Sequence, residues 1–118
     1  IIQLTGSNND SIGNDPIQID DIWVSKNLLN VEFRFLGGEM IHYINLTRPD
    51  GDISTISQPV ELELRHNSRD DQQKYTMNSI VTFDLRNIKI PGQDSVKFVV
   101  KSTDYKGDEH TFNSTYYY

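Results

Sequence analysis

The chain has 118 residues, 36% of them hydrophobic and 24% charged, with a formal net charge of −6. That is enough chain for one globular domain with an ordinary core, and the composition carries no mark of disorder. The acidic balance and the scattered basic residues argue against a nucleic-acid partner, and the absence of cysteine excludes disulfides, thiolate metal sites and thiol nucleophiles.

At the start, Ile1-Ile2-Gln3-Leu4 has neither the basic residues nor the apolar centre of a secretion signal. No run reaches the ~18 apolar residues that cross a membrane. With no initiating methionine, the chain reads as a piece of a longer protein. Residues 5–16 are polar and rich in turn formers, and Pro16 disfavours a helix before it. Residues 1–16 are therefore expected to be a linker or flexible N-terminal segment, with the domain proper over 17–118.

Ile17 to Val24 predicts a first strand, and its Trp23, the one tryptophan, is expected in the core. Leu29, Val31, Phe33 and Phe35 recur at every second residue, which is the period of a half-buried strand. Gly37-Gly38 reads as a hairpin turn, because glycine takes positive φ without steric cost. The return strand, Met40 to Leu46, sets Met40, His42, Ile44 and Leu46 on one face. Pro49-Asp50-Gly51-Asp52 is a turn. Val60 to His66 places Leu62, Leu64 and His66 opposite Glu61, Glu63 and Arg65. Residues 67–74 are wholly polar and form a loop, and Ile80 to Leu85 is the next strand. Pro91-Gly92 breaks the chain before Val96, Phe98 and Val100, and Lys106-Gly107-Asp108 turns it into a last strand, His110 to Tyr118. About seven short strands with turn chemistry between them predict an all-β, two-sheet antiparallel sandwich of immunoglobulin-like kind. Antiparallel pairing is expected because the connections are too short for crossover helices.

Five stretches carry a resemblance: Asp-Asp-Ile-Trp-Val (20–24), Leu-Asn-Val-Glu-Phe (29–33), Ile-His-Tyr-Ile-Asn-Leu (41–46), Leu-Glu-Leu-Arg-His-Asn (62–67) and Val-Thr-Phe-Asp-Leu (81–85). Over roughly residues 17–118 the chain resembles the C-terminal domain of NigD-like proteins, envelope lipoproteins of Bacteroidetes. The resemblance implies a C-terminal β-sandwich behind an upstream domain and a lipidated cysteine. It also implies an address in the cell envelope, at the outer membrane, with the membrane reached only through that upstream lipid anchor. The family name comes from an association with a bacteriocin operon, which makes bacteriocin immunity one implied role.

The residues themselves offer little catalytic chemistry. No glycine-rich loop leads into a helix, so no phosphate cradle is expected. His42, His66 and His110 fall on different strands without paired spacing, which favours hydrogen-bonded histidines over a metal site. Asn9, Asp10, Asn14 and Asp15, the pair Asp50 and Asp52, and the pair Asp70 and Asp71 are oxygen-rich. Their Asx chemistry suits turns better than calcium. Without a nucleophile motif, no catalytic residue, metal or cofactor is assigned. Binding is instead expected at the loops of the sandwich ends. Arg65 and Asn67 would stand at the rim, with Asp70 and Asp71 in the 67–74 loop. In the terminal Tyr116-Tyr117-Tyr118 run, Tyr116 and Tyr118 share a face, and alternation leaves at least one tyrosine open to solvent. For Arg65 and Asn67 a structural role, pairing with Glu61 or Glu63 and capping the turn, outweighs ligand contact. The leading expectation is a non-catalytic module contacting another protein or its own N-terminal domain. The alternative is a carbohydrate-binding module using exposed aromatics such as Trp23 and Tyr43.

Overall fold

In the computed structural model, which describes residues 1–118, the alternating apolar residues become strand faces. Along β3 (Leu28–Gly37), which follows β1 (Ile2–Gln3) and β2 (Gln18–Ser25), Leu29, Val31 and Phe33 are buried while Leu28, Glu32 and Arg34 face solvent. Strands β4 (Tyr43–Arg48), β5 (Val60–Asn67), β6 (Tyr75–Asp84), β7 (Ser95–Thr103) and β8 (Glu109–Tyr117) follow. The eight strands form a β-sandwich whose sheets run β1-β4-β5-β7-β8 and β2-β3-β6. The core lies between them, with Leu29, Val31 and Phe33 from one sheet against Leu46, Leu62, Leu64, Phe98 and Val100 from the other. This order differs from the immunoglobulin constant arrangement, in which the first and second strands pair in one sheet and the third, sixth and seventh share the other. The likeness is one of two-layer architecture.

Pairing is mostly antiparallel, yet β1–β4 and β5–β7 are parallel. Parallel neighbours need a crossover. The chain makes both by passing through the opposite sheet, as β2 and β3 between β1 and β4 and as β6 between β5 and β7, so no long crossover helix is required.

Three local expectations change. Gly37-Gly38 does not turn a hairpin: β3 belongs to the three-stranded sheet and β4 to the five-stranded one, so the chain crosses between layers there. Neither glycine has positive φ. They are needed for close approach instead, since a Cβ on Gly38 would lie 3.2 Å from Asp71 Oδ1 and from the Gln72 side chain. Trp23 is 39% exposed and not in the core. A bulge between Ile19 and Asp21 shifts the β2 register by one residue, which turns Ile22 and Val24 inward and Trp23 outward.

Residues 1–16 are part of the fold and not a free linker. β1 pairs with β4, the Leu4 N–H donates to the Arg48 carbonyl at 2.9 Å, and the short helix α1 (Asn9–Ile12) buries Ile12. Asn8 ties the segment's own backbone together: its Oδ1 accepts from the Thr5 N–H at 2.8 Å and its Nδ2 donates to the Gln3 carbonyl at 3.0 Å. Gly13 closes the segment onto β5 with φ +81° and ψ 167°, a region open essentially to glycine alone. A Cβ there would stand 2.8 Å from the Asn67 Cβ and the His66 carbonyl oxygen. Gly13→Ala is expected to cost about 1–3 kcal/mol or more, read as a lowered urea midpoint with an unchanged slope.

Candidate functional site

Successive residues of β5 point to opposite faces, and both Arg65 and His66 are buried. Arg65 lies under the N-terminal segment. Its Nη1 and Nη2 each donate at 2.9 Å to Asn9, to the side-chain oxygen and the carbonyl respectively, and Nε donates to the Gly13 carbonyl. Glu63 completes the set at 3.3 Å. Arg65 thus docks residues 9–13 onto the sheet and presents no free guanidinium at a rim. The groove beside it, about 480 Å³ and lined by Leu4, Asp10, Asn14 and Glu63 among others, is polar and open. It lacks the apolar enclosure of a small-molecule site.

His66 faces inward, stacked against His42 with ring centroids 4.9 Å apart and tilted against Phe35 at 5.1 Å. Four groups form a line. Asp71 Oδ2 meets His42 Nε2 at 2.7 Å, His42 Nδ1 meets His66 Nε2 at 2.7 Å, and His66 Nδ1 meets the Pro16 carbonyl at 2.8 Å. The His42 and Asp71 side chains are 2% and 3% exposed.

Proton counting fixes the charges. The Pro16 carbonyl only accepts, so His66 Nδ1 carries a proton. Asp71 accepts from the N–H groups of Gly38 at 2.7 Å, Glu39 at 3.2 Å and Gln72 at 2.8 Å. With every other partner donating to it, the carboxylate is ionised and the imidazole beside it donates too. The line holds one proton more than two neutral imidazoles carry. Burial pushes His66 below the ordinary histidine value.

This buried line anchors one end of the sandwich. Asp71 grips the 37–43 crossing, and that crossing displays Met40 and Ile41, 44% and 72% exposed. Next to them Tyr43 is 51% exposed, with the Arg69 guanidinium 5.4 Å from its ring centroid. Arg69 and Asp70 project at the apex of the 67–74 turn, both in left-handed backbone conformation. The Asn67 side chain accepts from the Arg69 N–H at 2.9 Å and donates to the Ser11 carbonyl at 3.1 Å. The result is an apolar tip with charged residues beside it, on a rigid base.

Of the residues singled out from sequence, Asn67, Asp70 and Asp71 meet at this end. Asp70 is open to solvent, whereas Asp71 is spent on internal bonds. Tyr116 and Tyr118 lie elsewhere. Tyr116 is fully buried with its hydroxyl on Asn27, which removes it from any contact surface. Tyr118 donates to the Ile90 carbonyl at 3.1 Å, and Tyr117 is the open residue of the three, at 76%. His110 pairs with Asp104 at 2.7 Å in the β7–β8 turn. Asp15 gives one carboxylate oxygen to the Ser68 N–H and hydroxyl, each at 2.8 Å. Trp23 and Tyr43 stand on different sheets and share no row. Met40 and Ile41 were not picked out as contact residues, because Met40 to Leu46 reads as a strand, and Tyr43 was named only as an aromatic for a carbohydrate surface; Glu39 directly after the glycine pair was the available sign of a loop.

Residues 1–116 match the family described as the NigD-like C-terminal beta sandwich domain. Among solved structures, a protein of Parabacteroides distasonis, placed by name alone with toxin-related proteins, is 30% identical with a TM-score of 0.76. The alignment covers 99% of this chain and 61% of that one. A protein of unknown function from Bacteroides vulgatus is 27% identical with a TM-score of 0.77, over 98% of this chain and 55% of its own. A NigD-like immunity protein of Bacteroides caccae, at 16% identity, a TM-score of 0.74 and coverage of 98% and 62%, shares the fold. The chain thus spans roughly three-fifths of these relatives. No curated protein matches it.

Donors hold the Asp71 carboxyl far below its ordinary value, the Gly38 N–H first and His42 next. A depressed carboxyl contributes stability above its unfolded value of about 4 and loses it as pH falls toward the folded one. Asp71→Asn is expected to lower the melting temperature at pH 7 and to flatten its fall below pH 4. An acid limb as steep as that of the parent would refute the assignment.

Proposed function

We propose that this chain, which belongs to the NigD-like C-terminal beta sandwich family, is a non-catalytic protein-interaction module of a cell-envelope lipoprotein. Its contact face is the end of the sandwich carrying Met40, Ile41, Tyr43, Arg69 and Asp70. The observation that carries the reading is the pairing of an exposed apolar tip with a buried, charge-locked base. Apolar side chains held rigidly in water are the chemistry of an interface anchor, since ordering them before binding lowers the entropic cost of association. Tyrosine, methionine and arginine are the residue types enriched at such contacts. The partner is a second protein or a domain elsewhere on the same polypeptide, and the lipid anchor upstream is the link to the membrane.

Bacteriocin immunity is the narrower form of this reading. The B. caccae neighbour is named an immunity protein, and immunity by capture requires a binding face and no active centre. A toxin or a toxin-handling envelope protein is the partner class that follows.

The test compares the parent chain with Met40→Ser/Ile41→Ser, both immobilised, against detergent-solubilised Bacteroides envelope with and without an added bacteriocin preparation. Surface changes of this kind alter stability by no more than about 0.5 kcal/mol, so the melting temperature serves as the folding control. One protein retained by the parent and reduced at least tenfold by the double variant is the expected result. Equal retention by both, or retention of glycan alone, would overturn the proposal.

A further inference from the structure

The four sheet edges are unequal. β1 spans only two residues. β2 carries Asp20 and Asp21 at a bulge, two of the devices that discourage edge pairing. β6 carries neither. It runs ten residues, pairs with β3 without any register shift, and has no charged residue from Tyr75 to Phe83. It ends its sheet, and its outward N–H and C=O groups find no partner in the chain. Residues that face the core side on its first half are left in solvent: Tyr75 is 55% exposed and Met77 42%.

The strand is also complementary to itself. In a two-fold antiparallel pairing, opposite residues must lie on the same face of the sheet. With Ser79 on the axis that condition holds throughout. Met77 faces Val81 and Tyr75 faces Phe83 on the core side, while Thr76 faces Thr82 on the outer side. No like charges meet, and flanking Lys74 stands opposite Asp84 of the second copy at both ends of the ladder. Moving the axis to Ile80 loses this match and brings Lys74 opposite Arg86. β8, also at a sheet edge, has no such flanking pair, its Glu109 falling opposite Tyr117.

We propose that β6 is the pairing edge of a homodimer, in which two three-stranded sheets join around Ser79 into one continuous six-stranded sheet. The partner is a second copy because the uncharged ladder with opposite charges at its ends fits its own reverse. The surface is separate from the Met40–Ile41 tip.

The absence of native cysteine makes the test direct. Single variants Ser79→Cys, Thr82→Cys and Asn113→Cys are oxidised with copper phenanthroline and followed as dimer on non-reducing gels. Directly opposite strand residues fall within disulfide reach, so Ser79→Cys is expected to cross-link at least tenfold faster than the other two. By sedimentation, the mass of the parent chain should rise with concentration from 13.6 kDa toward twice that value. Ser79→Lys, which sets two lysines on the axis, should remain monomeric with an unchanged circular dichroism spectrum. A parent mass that stays at 13.6 kDa across concentration, or cross-linking equal at the three sites or fastest through Asn113, overturns the proposal. Met40→Ser/Ile41→Ser should dimerise like the parent, which separates failure here from failure of the tip as a binding face.

Discussion

An ionised carboxylate and two stacked imidazoles held out of water organise this molecule. Removing such charges from solvent is costly, and the cost is offset only where geometry and hydrogen bonding are complete. Asp71 meets that demand with three backbone N–H groups and one ring nitrogen. The four donors come from three parts of the fold: two from the crossing between sheets, one from the 67–74 turn, and His42 from the approach to β4. Through His66 the same line reaches Pro16 and the N-terminal segment. Phe35 of the opposite sheet packs on both rings, with centroids 4.4 and 5.1 Å away. One charged line therefore sets the relative placement of both layers, a loop and the N-terminal segment. The exposed tip inherits its rigidity.

Much of the fold was legible because a buried sheet face forces a period of two, and Leu29, Val31, Phe33 or Val96, Phe98, Val100 admit no other reading. What was not legible depends on partners remote in sequence. One extra residue in β2 inverted the face of Trp23, and nothing local marks a bulge there. Gly37-Gly38 has the composition of a hairpin, but its glycines answer to Asp71, more than thirty positions away. The N-terminal segment has the composition of a linker because its side chains bond to backbone rather than filling a core. That use of Asn and Asp cannot be told from solvation until the acceptors are placed.

The site was legible as a region and not as a set of roles. The 67–74 turn was recognised for its polarity, and it does stand at the candidate end. Arg65 lies where strand alternation puts it and Asp71 in the polar loop, but whether a charge faces water or a buried partner is decided by what covers it. For Arg65 the cover is Asn9 to Gly13; for Asp71 it is the crossing chain. Histidines spaced without a metal pattern were read as hydrogen-bonded. That matches the geometry of His66, while the sharing of one extra proton between two rings emerges only when their atoms are in place.

The routing between layers bears on how the chain assembles itself. Only β2–β3, through Lys26-Asn27, and β7–β8, through Lys106-Gly107, are joined by tight turns. β3 meets β6, and β5 meets β7, only after most of the chain has been made. Two hairpins can therefore form on the microsecond scale of local closure, but neither buries a full face alone. Loop-closure entropy is borne before the central pairings return anything, which places this topology among the slow folders of its size. During that interval the apolar run of β6 is exposed on both edges, since β3 is not yet beside it. A chain of this design is most exposed to wrong partners while young, and its dependable folding calls for dilution or escort until the two layers close.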